Sequence, residues 1–248
     1  MDRVWSKNRV AVVTGAGRGI GRAIATALAQ AGAAVAVLDR DDDAGNSAVA
    51  EIGSDAAYFP VDMSKNDEIK RVVAAVVERF GGIDILVNNV GVLSTSSISE
   101  ITEAEWRRVI DINLTSAVFA SQCVVPYMEK AQWGRIVNIA SMAGRMGGVS
   151  TGVAYSVSKA AMIGFTMYLA RNLARRNITV NSIAPGPTKT ELLDGFTPTQ
   201  MKNLEDSIPL GRLGRPENIA ETAVFLASDA AEFMTGATVD VNGGLFMG

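Results

Sequence analysis

The chain has 248 residues, a formal net charge of -3 and 48% hydrophobic residues, which is enough apolar material for one sizeable core. It contains no histidine and a single cysteine, Cys123, which excludes an internal disulfide, Ser-His-Asp catalysis and histidine metal sites, and argues against zinc. The mild acidity gives no basic surface for nucleic acid, and the sequence shows neither a signal-peptide pattern nor an apolar run of about 20 residues. We therefore expect a cytoplasmic protein with no metal site, no nucleic-acid partner and no membrane partner.

Short apolar or β-branched runs, separated by stretches with helical spacing, predict alternating strands and helices. Helices are clearest at 19–32, which ends in a glycine stop signal, and at 66–82, where Val, Ile and Phe recur every three or four residues. The predicted strands cover residues 9–14, 33–39, 56–62, 83–89, 134–141, 178–185 and 236–244. We predict the α/β class, with a doubly wound parallel sheet of about seven strands and helices on both faces. No linker or charge block marks a second domain, so we treat 1–248 as a single domain.

The turn after the first predicted strand, in VVTGAGRGIGRAI, is rich in glycine. Gly15, Gly17, Gly19 and Gly21 follow the spacing T-G-x-x-x-G-x-G and not G-x-G-x-x-G. Glycines let the backbone approach a ligand closely, and the N-terminus of the following helix offers unpaired N–H groups to an anion. Such a turn can also be an ordinary tight loop. However, Asp39 ends the second strand at the offset of roughly 20 residues expected for a ribose-binding carboxylate, so the pattern predicts a dinucleotide site.

Two further strand ends carry polar residues at the edge where parallel sheets bind ligands. Asp62 follows the third strand and is a candidate partner for the edge of an adenine base, and the sequence NNVG at 88–91 ends the fourth strand. Asp and Asn are also common in turns, so each position alone has two explanations.

Tyr155 and Lys159, in GVAYSVSKAAMIGF, lie four residues apart on one face of a predicted helix. An isolated pair of this kind is usually a solvent-exposed phenol beside a lysine whose charged end reaches water. Here the preceding strand ends in NIAS, which brings Ser141 to the same edge of the sheet as the glycine turn. An ammonium group lowers the pKa of a nearby phenol from its usual value of about 10. The pair therefore predicts a Tyr that exchanges a proton with an alcohol or carbonyl oxygen.

Seven motifs along residues 8–244, all in family order, make the chain resemble the short-chain dehydrogenase/reductase family: TGAGRGIG, NNVG, DINLTS, NIAS, YSVSK, APGPTKT and VNGG. The resemblance implies a Rossmann fold, a nicotinamide cofactor and a catalytic tetrad of Asn113, Ser141, Tyr155 and Lys159. In this scheme Tyr155 is the general acid/base, and Lys159 holds the nicotinamide ribose and lowers the Tyr pKa. Ser141 hydrogen-bonds the substrate oxygen. Asn113 holds a water that relays protons to Lys159, a role compatible with satisfying backbone groups in a bent helix.

The same resemblance assigns a larger set of residues to the cofactor. Val90 departs from the family's usual Ala, which adds bulk beside the cofactor without removing a chemical group. The set comprises Gly15, Arg18, Gly19, Ile20 and Gly21 at the pyrophosphate, Asp39 and Arg40 at the adenosine ribose, Asp62 and Met63 at the adenine, Asn89, Val90 and Gly91 near the nicotinamide ribose, Pro185, Gly186, Thr188 and Thr190 at the carboxamide, and Tyr155 and Lys159.

The choice between NAD and NADP depends on three charged residues. The Asp39 carboxylate can accept hydrogen bonds from the ribose hydroxyls but would repel a 2′-phosphate. Arg18 and Arg40 could bind that phosphate, or they could be solvated charges or partners of the acidic run 41–43. Because Asp39 is at the strand end itself, we predict NAD as the cofactor, with NADP less favoured.

The resemblance also implies that the segment at about 190–215 covers the active site and selects the substrate, and the glycine-rich stretch 144–153 should border the pocket. Leu192, Leu193, Phe196 and Met201 make this segment apolar, unless they pack on the body of the protein. No Arg in these loops is placed to clamp a carboxylate.

We therefore predict an NAD(P)-dependent oxidoreductase that interconverts a secondary alcohol and a ketone. Its substrate would be partly apolar, either a hydroxyacyl or 3-oxoacyl thioester or a cyclic alcohol. The alternatives are an NADPH-dependent 3-oxoacyl-[acyl-carrier-protein] reductase and a non-catalytic cofactor-binding sensor or scaffold. We also predict a homotetramer, which the resemblance implies. Two sequence features agree with it: surplus apolar positions at 102–130 and 152–176, and an exposed C-terminal end at Leu245, Phe246 and Met247.

Overall fold

The computed structural model describes residues 4–5, 8–148 and 151–248, and the side chain of Leu192 lies outside the description. The strands within these residues are β1 (Arg9–Thr14), β2 (Ala33–Asp39), β3 (Ala56–Pro60), β4 (Ile85–Asn88), β5 (Gly134–Ile139), β6 (Ile178–Pro185) and β7 (Thr238–Val241). They form one parallel sheet in the order β3-β2-β1-β4-β5-β6-β7. The predicted α/β class, with a parallel Rossmann-like sheet of about seven strands, is confirmed.

Four predicted strands, β3, β4, β5 and β7, end earlier than expected, and in β3 and β7 the reason is a turn that begins inside the predicted strand. β3 ends at Pro60, since Asp62 already forms a turn in which its Oδ1 accepts a hydrogen bond of 3.0 Å from the Ser64 N–H. β7 ends at Val241, and Gly243 and Gly244 that follow it have φ angles of 66° and 91°. This left-handed backbone cannot continue an extended strand and favours glycine.

The described helices cover the sheet on both faces. They are α1 (Gly19–Gln30), α2 (Asp42–Ile52), α3 (Asn66–Phe80), α4 (Glu103–Ile110), α5 (Ser116–Ala131), α6 (Met142–Met146), α7 (Val153–Leu173), α8 (Pro198–Ser207) and α9 (Pro216–Ala227). On one face, α1, α2 and α9 share a core with the sheet, in which Leu28 packs with Leu226. On the other face, α3, α5 and α7 enclose a second core around Val73 and Val124. Both faces of the sheet are therefore covered by helices and shielded from solvent, as is usual for a parallel sheet.

Residues 103–131 form a continuous helical stretch, in which a π-helical turn at Asp111–Thr115 joins α4 to α5. By length and composition alone this stretch is long and apolar enough to cross a membrane. However, Ala120, Val124 and Met128 on α5 are buried in the core with α3 and the sheet. It is therefore a core helix.

The order in which the strands are added to the sheet reverses at β1, which pairs with β2 on one side and β4 on the other. Thr14, the last residue of β1, ties β1 to the end of β4 and the segment that follows it. Its hydroxyl accepts hydrogen bonds from the N–H groups of Asn89 and Val90 at 3.0 and 3.1 Å, and donates to the Val87 carbonyl at 3.3 Å. Open parallel sheets bind ligands at such a switch point, outside the carboxyl ends of the strands.

Candidate active site

A cleft of about 580 Å³ lies at the carboxyl ends of the strands. All the residues that the sequence assigned to the cofactor line it, and so do Ser141, Tyr155 and Lys159. They converge because each lies near a strand end or on a helix that follows one, and all strands point the same way. Asn113 is fully buried and lies behind the wall: a Cβ on Gly91 would be 3.5 Å from its Oδ1 and 3.3 Å from the Lys159 Nζ.

The glycine turn is a close-packed cradle that fits a pyrophosphate. A Cβ on Gly21 would overlap the carbonyl oxygen of Gly15, and Gly15 itself has φ 62°. Asn89 holds the turn by donating from Nδ2 to the carbonyls of Thr14 and Gly15 at 2.9 and 3.0 Å. Helix α1 begins with no side-chain cap and no acidic residue in its first turn, so its free N–H groups and dipole remain available to an anion. The residues present therefore fit a dinucleotide.

Asp39 at the end of β2 is nearly buried, with 9% of its surface exposed. Its Oδ2 accepts a hydrogen bond of 2.8 Å from the Gly17 N–H, and its Oδ1 accepts one of 3.1 Å from the Asp41 N–H. A Cβ on Gly17 would lie 2.9 Å from that Oδ2, so only glycine permits the contact. Of the two arginines nearby, Arg40 is exposed, and Arg18 pairs with Asp41 at 3.3 Å. Arg18 is thus a partner of the acidic run.

Asp62 lines the cleft but is also engaged in its own turn. Its Oδ1 accepts hydrogen bonds from the Ser64 hydroxyl at 2.7 Å and the Ser64 N–H at 3.0 Å, and these bonds lower the pKa of Asp62. The turn explanation and the ligand explanation are therefore compatible at this residue.

Tyr155 and Lys159 lie on the first two turns of α7 and face the cleft together. Lys159 is 3% exposed, and its Nζ donates to the Ile139 carbonyl at 2.8 Å and lies 5.9 Å from the centre of the Tyr155 ring. Burial lowers the pKa of Lys159 to about 8. Burial also raises the pKa of Tyr155, while a hydrogen bond from Ser141 acts in the opposite direction. Without a cofactor the net shift of the Tyr155 pKa is therefore upward. This is opposite to the lowering that the sequence led us to expect.

Ser141 lies beyond the end of β5, which stops at Ile139 and not at 141 as predicted. Ser141 is instead the N-cap of the short helix α6, and its Oγ accepts a hydrogen bond of 3.1 Å from the Ala143 N–H. The cap fixes the direction of the hydroxyl at the wall of the cleft.

Asn113 lies in the π-helical turn and uses its whole amide group. Its Oδ1 accepts from the Val92 N–H at 2.7 Å, and its Nδ2 donates to the Val92 carbonyl at 3.0 Å and to the Ser158 hydroxyl at 3.1 Å. Satisfying the backbone is thus what Asn113 does in this structure. The water relay that the resemblance implies for it stays a prediction.

Comparisons with known proteins agree with this geometry. A family model described as "Enoyl-(Acyl carrier protein) reductase" matches residues 15–246. The 3-oxoacyl-[acyl-carrier-protein] reductase FabG of Vibrio cholerae is 38% identical over 241 residues, covering 97% of this chain and 98% of its own. The reductase of the same name from Pseudomonas aeruginosa is 40% identical over 245 residues, with coverage of 97% and 98%. The chain belongs to the short-chain dehydrogenase/reductase family.

Solved structures of similar shape support the assignment to the short-chain dehydrogenases/reductases. The crystal structure of gox2181 has a TM-score of 0.94 at 34% identity, covering 98% of this chain and 97% of its own. A structure from Agrobacterium tumefaciens, described as a candidate gluconate dehydrogenase, has a TM-score of 0.94 at 32% identity, with coverage of 99% and 98%. The protein is thus an NAD(P)-dependent oxidoreductase that acts on CH–OH and keto groups.

Part of the wall of the cleft in this short-chain dehydrogenase/reductase is apolar. Met142, Met146, Leu193, Phe196 and Leu204 line it. Leu193 and Phe196 belong to the segment expected to select the substrate, whereas Met201 is half-buried and outside the lining. The side chain of Leu192, and Val149 and Ser150 of the glycine-rich stretch, lie outside the described residues.

The sequence missed a set of lining residues that flank its motifs. Val92 and Leu93 follow NNVG directly, Ile112 precedes Asn113, and Met142 follows Ser141. Their only sequence signal is proximity to a strand end. Other lining residues without an earlier assignment are Val61, Ser64, Ile139, Ala140, Ala143 and Pro187. Met146 and Thr151 instead belong to the stretch 144–153, and Glu191 and Leu204 to the segment at about 190–215, both of which were expected at the pocket.

Proposed function

We propose that the protein is a cytoplasmic, NAD-preferring oxidoreductase that interconverts 3-oxoacyl and 3-hydroxyacyl thioesters. The observation that carries this proposal is the set of apolar side chains, from α6 and from the segment at about 190–215, that line the same cleft as Ser141, Tyr155 and Lys159, which suits an acyl chain. Similarity to 3-oxoacyl-[acyl-carrier-protein] reductases supports a thioester over a cyclic alcohol. The cofactor preference is supported by Asp39, whose buried carboxylate would repel a 2′-phosphate.

An anionic sugar acid, suggested by the name of the Agrobacterium tumefaciens structure, is less well supported. The cationic side chains among the described lining residues are Arg18, Arg40 and Lys159, of which the two arginines belong to the adenosine end. The carboxylate of Glu191 lies beside the glycine turn, since a Cβ on Gly19 would be 3.4 Å from its Oε2. Apart from Lys159, the described lining residues therefore offer a carboxylate substrate no cationic clamp outside the adenosine end.

In the proposed mechanism, the Tyr155 hydroxyl donates its proton to the carbonyl oxygen as the ketone is reduced. The Ser141 hydroxyl hydrogen-bonds the same oxygen and orients it, and the Lys159 ammonium stabilises the phenolate left behind. A bound nicotinamide supplies the hydride in reduction and accepts it in oxidation. In a chain without histidine, the Tyr–Lys pair provides the acid and base.

Tyr155→Phe tests the catalytic role because it removes one hydroxyl and keeps the ring. We expect turnover to fall by at least ~10²-fold, within the range for loss of a general acid, while folding and cofactor binding persist. Tyr168→Phe is the matched control, since Tyr168 is on the same helix with 65% of its surface exposed. A Tyr155→Phe enzyme that keeps more than a tenth of wild-type kcat would exclude Tyr155 as the acid.

A substrate panel tests the reaction. We expect the highest kcat/KM with 3-oxoacyl thioesters on acyl carrier protein or coenzyme A, measured by the absorbance of the reduced nicotinamide with both cofactors. Higher efficiency with a cyclic ketone or with the keto form of a sugar acid would overturn the proposed substrate class. Equal or better efficiency with NADPH would overturn the cofactor preference.

We also propose a homotetramer in which α5 and α7 pair between subunits. Met167 and Tyr168 on α7 support it, with 54% and 65% of their surfaces exposed. The expected exposure of the C-terminal end holds only for Met247, at 79%. Leu245 and Phe246 are half-buried, and the Phe246 ring lies under the Arg145 guanidinium at 4.7 Å.

A further inference from the structure

Asp41 joins the two chain segments that surround the adenosine end of the cleft. Its carboxylate has two partners: Oδ1 accepts from the Ala44 N–H at 3.1 Å, which caps helix α2, and Oδ2 accepts from the Arg18 guanidinium at 3.3 Å. Its own N–H donates to Asp39 Oδ1 at 3.1 Å. The cap and this backbone hydrogen bond therefore hold Asp41 in place independently of its contact with Arg18.

We propose that Asp41 is a second determinant of cofactor choice, which holds Arg18 in an ion pair and so withholds it from the 2′-phosphate of NADP. This inference rests on the NAD preference proposed above. Asp39 would repel the phosphate directly, whereas Asp41 removes the cation that could offset this repulsion.

The charges at this end of the cleft support the proposal. Arg18 lines the cleft from within the glycine turn, with 56% of its side chain exposed, and the Asp41 side chain is 39% exposed. A guanidinium binds a phosphate through strong charge-assisted hydrogen bonds, but an Arg already paired with a carboxylate must first lose that partner. Because the pair is exposed, its own strength is small, and we expect the change in cofactor choice to be about tenfold rather than thousandfold.

Asp41→Asn is a sharp test, because an Asn oxygen still accepts the Ala44 hydrogen bond and caps α2 while the charge disappears. Titration calorimetry with adenosine 2′,5′-bisphosphate and with 5′-AMP measures recognition of the 2′-phosphate without turnover. We expect the ratio of their dissociation constants to shift about tenfold toward the bisphosphate. The kcat/KM ratio of NADPH to NADH should shift in the same direction.

Two further variants show whether the effect passes through Arg18. In an Arg18→Ala background, Asp41→Asn should leave the ratio of dissociation constants unchanged. Glu51→Gln is the matched control, since Glu51 forms an ion pair with Arg22 that also joins α1 to α2, yet neither residue lines the cleft. We expect it to leave the ratio unchanged.

An unchanged ratio in Asp41→Asn would overturn the inference, and so would an equal shift in the Arg18→Ala background. Failure of the proposed cofactor preference is a separate result, because it would appear in the wild-type protein as a higher kcat/KM with NADPH than with NADH.

Discussion

Lys159 combines a charged group with an almost completely buried position, and burial lowers its pKa from 10.5 to about 8. A shift of this size corresponds to about 3 kcal/mol of unfavourable charge burial below pH 8. Lys159→Met removes that charge while keeping most of the volume, but leaves the Ile139 carbonyl without its donor, a loss of about 1 kcal/mol. We therefore expect the variant to be inactive, yet more stable than the wild type at pH 7 by about 2 kcal/mol.

The pH dependence of this effect has a definite sign. Between about pH 8 and 10.5 the unfolded chain keeps the Lys159 proton that the folded protein has lost, so wild-type stability gains with rising pH. The advantage of Lys159→Met should therefore shrink between pH 7 and pH 9.5, as measured by urea unfolding of the cofactor-free protein. Lys130→Met, at an exposed position, should show no such trend. A constant difference across this pH range would contradict the prediction.

Much of the candidate site was predictable at the level of single residues. Ser141, Tyr155 and Lys159 meet in one cleft because they lie near strand ends or on the helix that follows, and the sequence shows both patterns. Their catalytic roles stay predictions. The sequence could not give the net direction of the Tyr155 pKa shift, because burial depends on segments that are distant along the chain. The same holds for Lys159, whose neighbours Ile139 and Gly91 come from two other segments.

The π-helical turn at Asp111–Thr115 shows how an element can depend on a single side chain. Asn113→Ala would leave both the N–H and the carbonyl of Val92 without the partners they have now. Unsatisfied buried groups cost about 1–3 kcal/mol each, so we expect the free energy of unfolding to fall by about 2–4 kcal/mol. Turnover should also fall, because Val92 lines the cleft.

Asn172→Ala is the matched control for the π-helical turn. Asn172 is exposed on α7, where its Nδ2 donates to the Tyr168 carbonyl at 2.7 Å. Urea unfolding and kcat should barely change in this variant. Stability of Asn113→Ala within about 0.5 kcal/mol of the wild type, the range of ordinary surface substitutions, would refute the importance of the Asn113 amide.

Element types were easier to predict than the local geometry of the elements. Hydrophobic runs fixed the strands, but DINLT has no local feature that distinguishes a π-helical turn from an α-helix, because the turn is held by Val92 from another segment. The short helix α6 was missed for a similar reason. Its five residues carry no periodic pattern, and only the cap at Ser141 marks its start.

For the whole molecule, the proposed tetramer makes a direct prediction. Light scattering at micromolar concentration should give four times the chain mass. Replacing Met167, an exposed residue of α7, by Glu should reduce this mass by placing like charges at a two-fold interface. Arg171→Glu introduces a similar charge one turn further along, on an exposed position, and shows how far the interface extends. A wild-type monomer would refute the assembly.

The packing of α1 against α9 has a consequence for how the protein is made. Leu28 and Ile24 of the first helix share a core with Ile219 and Leu226 of the last one. At synthesis rates of about 5–20 residues per second, the ribosome needs roughly 10–40 s to deliver α9 after α1 has emerged. Throughout that interval the nascent chain exposes the apolar side of α1 and lacks the segment that covers it. Folding of this sheet face is therefore expected to wait for translation to near completion, with chaperones protecting the growing chain until then.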